Sequence, residues 1–109
     1  MSLIAYTVTA RLPDLATRER FVAWLAGGHV AEVCGYGALS GQIVVLDQPQ
    51  GEPPVVEVRY LFPDRATLDR YFSEYAPRLR AEGLARFGPE SGVQFSRSTG
   101  VISHQQGSR

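Results

Sequence analysis

Along residues 3–11 apolar and polar positions alternate, with Ile4, Tyr6, Val8 and Ala10 on one face and Ala5, Thr7 and Thr9 on the other. A period of two predicts a half-buried strand whose second face is weakly polar. Leu12-Pro13-Asp14 ends it, because proline cannot extend the ladder, and Asp14 or Thr17 is placed to cap a helix. From Leu15 the period becomes helical: Val22, Leu25, His29 and Val33 form one stripe, with Phe21 and Trp24 beside it. Gly27-Gly28 interrupts the run, each glycine costing about 1 kcal/mol relative to alanine inside a helix. The spacing therefore predicts a helix to about residue 27 and a short second turn over 28–34.

Gly35-Tyr36-Gly37 closes that segment, and a second strand is expected over 38–47. Residues 48–54, QPQGEPP, are turn chemistry and predict a hairpin loop. The third strand, 55–62, sets Val56, Val58, Tyr60 and Phe62 against Glu57 and Arg59. Asp64 caps the next helix, whose buried stripe is Leu68, Tyr71, Phe72, Tyr75 and Leu79. Pro77 either kinks this helix or begins a successor carrying Leu79, Leu84 and Phe87, and Gly88-Pro89 stops it. A less regular alternation over 93–102 supplies a fourth strand. Residues 1–103 read as a single domain and the polar residues 104–109 as a flexible tail. No internal repeat or linker is evident.

The order β-α-β-β-α-β is the ferredoxin-like pattern, an α+β fold with a four-stranded antiparallel sheet and its helices on one face. Thr7, Thr9, Glu57 and Arg59 fall on the other face. A sheet face this mixed is rarely left bare, so a homodimer formed by two-fold pairing is expected.

Composition narrows the class. A chain of 109 residues, 44% hydrophobic and 20% charged, suits one folded domain. Eleven arginines balance eleven carboxylates, so no global field favours nucleic acid or an anionic membrane. The single cysteine cannot form an internal disulfide. No apolar run approaches the ~20 residues of a membrane span, and the N-terminus lacks a signal-peptide layout. A soluble cytoplasmic protein is the expectation. Lysine is absent, which excludes Schiff-base chemistry on this chain.

The strand IAYTVTARL with the helix FVAWLAGGHVAEVCGYG, and the later strand VVEVRYLF with the helix LDRYFSEYAPRLRAEGLARFG, carry a likeness that runs from Ile4 to about Val101. The chain resembles a small uncharacterised bacterial family, a domain of unknown function, within the dimeric α/β-barrel superfamily. Its most specific pieces are Trp24 followed by His29-Val30-Ala31-Glu32-Val33, and Tyr75-Ala76-Pro77-Arg78-Leu79-Arg80. The resemblance implies two ferredoxin-like sheets packed face to face, with helices outside. It supplies no reaction, and Gly27-Gly28 departs from the helix formers usual in the family.

His29 is the candidate catalytic residue. Glu32, three residues on, shares its side of a helical turn and would orient the imidazole and favour its charged form. The resemblance places the superfamily's ligands between helix and sheet, where His29, Trp24, Glu32, Tyr6, Tyr60 and Arg78 are the candidate lining residues; a histidine that merely packs is the alternative. Arg59, Arg78 and Arg80 suit an anion clamp, since guanidinium binds carboxylate in bidentate fashion. Arg59 reads better as a packing or dimer contact and Arg80 as solvated. Most of the aromatic set reads as core. Cys34 reads as a small buried hydrophobe, because His29 lies five residues away, roughly 140° around a helix. One histidine–glutamate pair gives no metal site, and Gly35, Gly37 and Gly41 run into a strand rather than opening a nucleotide-binding helix. No cofactor is expected. Three functions stay open: a binder of a small, partly apolar ligand; an enzyme, which the resemblance to the superfamily's small monooxygenases and isomerases implies would be cofactor-independent and act on an aromatic or quinone-like substrate; or a protein-interaction module.

Overall fold

Each element begins where the period of the sequence changes. In the computed structural model, which describes residues 2–107, β1 (Ile4–Arg11) leads into α1 (Leu15–Trp24), a kinked turn (Leu25–His29) and α2 (Val30–Gly35). The hairpin strands β2 (Ser40–Val45) and β3 (Val55–Phe62) come next. Then come α3 (Arg65–Glu74), α4 (Ala76–Arg86), a short 3₁₀ turn (Pro89–Ser91) and β4 (Gln94–Val101). The strands lie in the order β2-β3-β1-β4 with every neighbouring pair antiparallel. This is the expected ferredoxin-like sheet.

Register decides which side chains meet the helices. Ile4, Tyr6, Val8 and Ala10 stand opposite Phe62, Tyr60, Val58 and Val56, and these residues form the sheet's share of the core. Phe21, Leu25, Val33, Leu68, Leu79 and Phe87 close over them. On the other face Thr7 and Thr9 stand opposite Arg59 and Glu57, and Arg59 pairs with Glu57 of its own strand at 2.8 Å. Ala5, Thr7, Val44 and Leu61 on that face are only half-buried.

Both crossovers start on one five-residue pattern, Pro-Asp-x-Ala-Thr, at 13–17 and at 63–67. This short internal repeat corrects the expectation that the chain holds none. Asp14 accepts the Thr17 amide at 2.8 Å, and Asp64 accepts the Thr67 amide and hydroxyl at 2.8 Å each. These bonds to the ionised caps hold both carboxyls below the usual aspartate range.

The first helical region is in two pieces, as expected, joined across a kink. The backbone leaves helical geometry at Gly28, and the Val30 amide spans the kink to bond the Leu25 carbonyl. Gly28 makes this possible with φ +152°, a value that side chains rarely adopt. Pro77 sits in the first turn of α4, so it begins a successor helix where no amide donor is needed. β2 and β4 are shorter than expected, at 40–45 and 94–101. Leu84, expected in the buried stripe of α4, is 53% exposed. Cys34 is half-buried rather than buried.

Candidate functional site

A cavity of about 270 Å³ opens between the helices and the sheet. Tyr6, Tyr60 and Tyr71 form one side, and Trp24 and His29 another. The tyrosines come from β1, β3 and α3, whose inward positions converge here. Tyr6 stacks on Tyr60 with ring centres 5.8 Å apart and meets Phe72 edge-on at 5.1 Å. The Tyr60 ring covers Gly41, its partner across the hairpin: a Cβ at 41 would lie 3.0 Å from Tyr60 Cε1 and 2.7 Å from Val30 Cγ1.

The other wall depends on the kink at Gly28. His29 stacks on Trp24 at 4.2 Å with planes 25° apart, and Gly83 of α4 lets the indole approach, since a Cβ there would be 3.3 Å from Trp24 Cη2. Burial pushes the His29 pKa below its ordinary value, against the opposing pull of Glu32 and Glu82, so the imidazole is neutral at pH 7. Its Nδ1 is buried without a hydrogen-bond partner among the described residues. Burial raises the tyrosines as well: Tyr60 far above its usual range and Tyr71 to about 12, so both keep their protons.

Of the residues expected at the site, His29, Trp24, Tyr6 and Tyr60 line this cavity, whereas Glu32 and Arg78 do not. Glu32 does not hydrogen-bond the imidazole. Its carboxylate instead accepts from Arg78 Nη2 at 3.0 Å, and Arg78 also donates to the Tyr36 hydroxyl at 2.7 Å and to Glu82 at 2.9 Å. Tyr36 in turn stacks on Tyr75 at 4.1 Å. The result is a clamp joining α2 to α4 on the outer surface, where a full guanidinium charge outcompetes a buried, neutral imidazole for the carboxylate.

Sequence reasoning missed Arg97 and, after weighing Arg80 for an anion clamp, read it as solvated; both border the cavity with Gly83 and Leu84. Arg97 carried a usable signal: with Phe95 and Thr99 it occupies the inward parity of β4. Arg80 carried less, being one position from the buried Leu79. No group of three or more His, Cys, Asp or Glu among the described residues is placed to hold a metal ion. No helix among them is long and apolar enough to cross a membrane.

Solved structures share this architecture. A dimeric ferredoxin-like protein from an uncultured marine organism superposes with a TM-score of 0.69 at 18% identity, over 97% of this chain and 100% of that one. A monooxygenase of Streptomyces coelicolor, solved with nanaomycin D, gives 0.72 at 12% identity over 99% and 94%. SnoaB, a cofactor-independent oxygenase from Streptomyces nogalater, gives 0.64 at 8% identity over 96% and 97%. At these identities the likeness is one of fold. No curated protein is significantly similar to the chain in sequence. Residues 3–99 match the family model described as Domain of unknown function (DUF4286). The chain therefore belongs to the DUF4286 family.

Proposed function

We propose that the chain is a cytoplasmic homodimer that binds a small, flat, mostly apolar ligand between its helices and its sheet. The observation that carries this reading is the cavity of about 270 Å³ walled by the Trp24–His29 stack and three tyrosines. Protein interiors are packed close to crystal density, so an aromatic-walled space of this size within a small core favours a guest. Tyrosine hydroxyls at its edge would orient such a guest by hydrogen bonds. The Streptomyces coelicolor monooxygenase of this fold was solved in complex with nanaomycin D, which is consistent with a small-molecule guest.

A thermal-shift panel of 2-naphthol, 1,4-naphthoquinone and 2-naphthoate, on wild type and His29→Ala, tests the reading. A ligand at a hundred times its Kd adds about 2.7 kcal/mol, which raises the midpoint by roughly 10 °C or more in a domain this size. A shift reduced in His29→Ala is expected. A flat panel on wild type overturns the reading and turns attention to a protein partner.

The dimer pairs through the open sheet face. Ala5, Thr7, Val44 and Leu61 there are half-buried, small or apolar, and a similar solved structure is a dimeric ferredoxin-like protein. Thr7→Arg sets a second arginine opposite Arg59 at the middle of that face. Sedimentation equilibrium is expected to give a dimer for wild type and a monomer for this variant.

One observation favours an enzyme as the second reading: the neutral His29 borders the cavity, in the protonation state a general base needs. A cofactor-independent oxygenase- or isomerase-like reaction on an aromatic or quinone-like substrate would begin with His29 taking a proton from the bound molecule. Turnover lost in His29→Ala, with fold and dimer intact, separates this from binding alone.

A further inference from the structure

The walls of the cavity are apolar, but its rim carries two arginines, Arg80 from α4 and Arg97 from β4. Each guanidinium lies over an aromatic ring, Arg80 over Phe72 and Arg97 over Phe95, both 5.7 Å from the ring centre. The ring's quadrupole attracts a cation so placed and leaves its N–H groups available to other acceptors.

Among the described residues neither arginine enters an ion pair, whereas Arg59, Arg70 and Arg78 all do. Spacing explains the difference. Glu74 and Glu82 stand four residues after Arg70 and Arg78, but the same position after Arg80 is Leu84. Arg97 faces Val8 across the ladder, and its own-strand neighbours on that face are Phe95 and Thr99. Both charges also reach the Tyr71 hydroxyl, drawing its pKa down against the larger upward push of burial. Tyr71, only 4% exposed, is among the residues that line the cavity. Unpaired arginines elsewhere on a surface face water. These two border an aromatic cavity and share its rim with a phenol that remains protonated.

We infer that this rim is a carboxylate subsite, in which Arg80, Arg97 and Tyr71 receive the acid group of a flat aromatic acid whose ring system fills the cavity. The inference rests on the ligand-binding reading of the same cavity and adds the charge class of the guest. Two guanidiniums offer in-plane N–H pairs to a carboxylate, and the Tyr71 hydroxyl supplies a further donor from the buried side. A neutral amide of the same shape would gain the ring contacts without the charge-assisted bonds.

The test is calorimetric titration with 2-naphthoate and with its neutral amide, 2-naphthamide, on wild type, on the Arg80→Gln/Arg97→Gln double variant and on Tyr71→Phe. Both arginines are exposed, so glutamine leaves the core intact, and phenylalanine keeps the Tyr71 ring. Charge-assisted hydrogen bonds worth 1.5–3 kcal/mol correspond to roughly a tenfold or greater preference for the acid in wild type. That preference is expected to vanish in the double variant and to shrink in Tyr71→Phe, with amide affinity unchanged. If acid and amide bind wild type alike, or the preference survives in the double variant, there is no carboxylate subsite, and the amide's binding leaves the cavity reading standing. If neither compound binds wild type, the ligand-binding reading fails for flat bicyclic molecules and takes the subsite with it.

Discussion

His29 lies flat on Trp24, ring centres 4.2 Å apart and planes 25° from parallel, although the two residues are five apart in sequence. In a regular α-helix a five-residue step leaves side chains roughly 140° apart around the axis. The kink at Gly28, where the backbone leaves helical geometry, breaks that spacing and brings the pair to one side. One wall of the cavity is thus a product of backbone irregularity, with Gly28 at φ +152° as its enabling residue.

Replacing Gly28 with alanine tests that dependence. Space is not the obstacle, because a Cβ at 28 would meet nothing within 4 Å. Backbone conformation is. Alanine disfavours this φ, and the variant is expected to lose more than about 1 kcal/mol of stability. Denaturant unfolding gives the loss, and fluorescence of Trp24, the single tryptophan, gives the change in its contact with His29. Unchanged stability together with an unchanged spectrum would show that the turn does not require glycine.

The stack also predicts a pH dependence. Burial lowers the His29 pKa in the folded state, while the unfolded chain titrates near 6.5. Below that value the unfolded state binds the proton more readily, so folding stability contributed by His29 is present above about pH 6.5 and declines as pH falls toward the folded pKa. Glu32 and Glu82 oppose the shift without cancelling it. Denaturant midpoints measured from pH 7.5 to about pH 5 are expected to fall in wild type and to fall less in His29→Gln. Equal slopes would mean that His29 is not held neutral.

A second acid limb lies lower. Asp14 and Asp64 are both held below the ordinary aspartate value by the Thr17 and Thr67 bonds that cap α1 and α3. For a depressed carboxyl the stability is present above the unfolded pKa of about 3.9 and is lost as pH falls through the folded value. Asparagine caps a helix about as well but carries no titrating charge. The Asp14→Asn/Asp64→Asn variant should therefore stay folded at neutral pH and show a shallower loss of stability on acidification below about pH 4. A limb as steep as that of wild type would assign it to other carboxyls.

These features differ in how far the sequence exposed them, and the reason is range. The strand alternation at Ile4–Ala10 and the cap at Asp64 are local and were legible, while the cap at Asp14 and the restart at Pro77 were each one of two local alternatives. Gly27-Gly28 read as a break, and the backbone does leave helical geometry at Gly28, but spacing alone did not show that the break lays His29 on Trp24. Glu32 was matched to His29 by helical spacing, whereas Arg78, forty-six residues away, holds its carboxylate. Arg97 was legible only by parity on an irregular strand. Arg80 becomes a rim residue only once α4 lies over the sheet, which no window of neighbouring residues contains.

Gly83 is where stability and binding are expected to part. It lies inside α4, where glycine costs about 1 kcal/mol relative to alanine. Its place there is set by Trp24, whose Cη2 would be 3.3 Å from a new Cβ. That contact is tight rather than forbidden, and the indole borders open cavity, so it can yield by a few tenths of an ångström toward His29 and the empty space. Gly83→Ala is therefore expected to melt higher, by up to roughly 4–8 °C for a full 1 kcal/mol, while binding 2-naphthamide more weakly because the wall has moved inward. Parallel melting curves and titrations read both quantities on one protein. A variant that melts lower would show instead that Trp24 is locked between Gly83 and His29, which makes the stack a rigid wall and the glycine a requirement of packing rather than a concession to the guest.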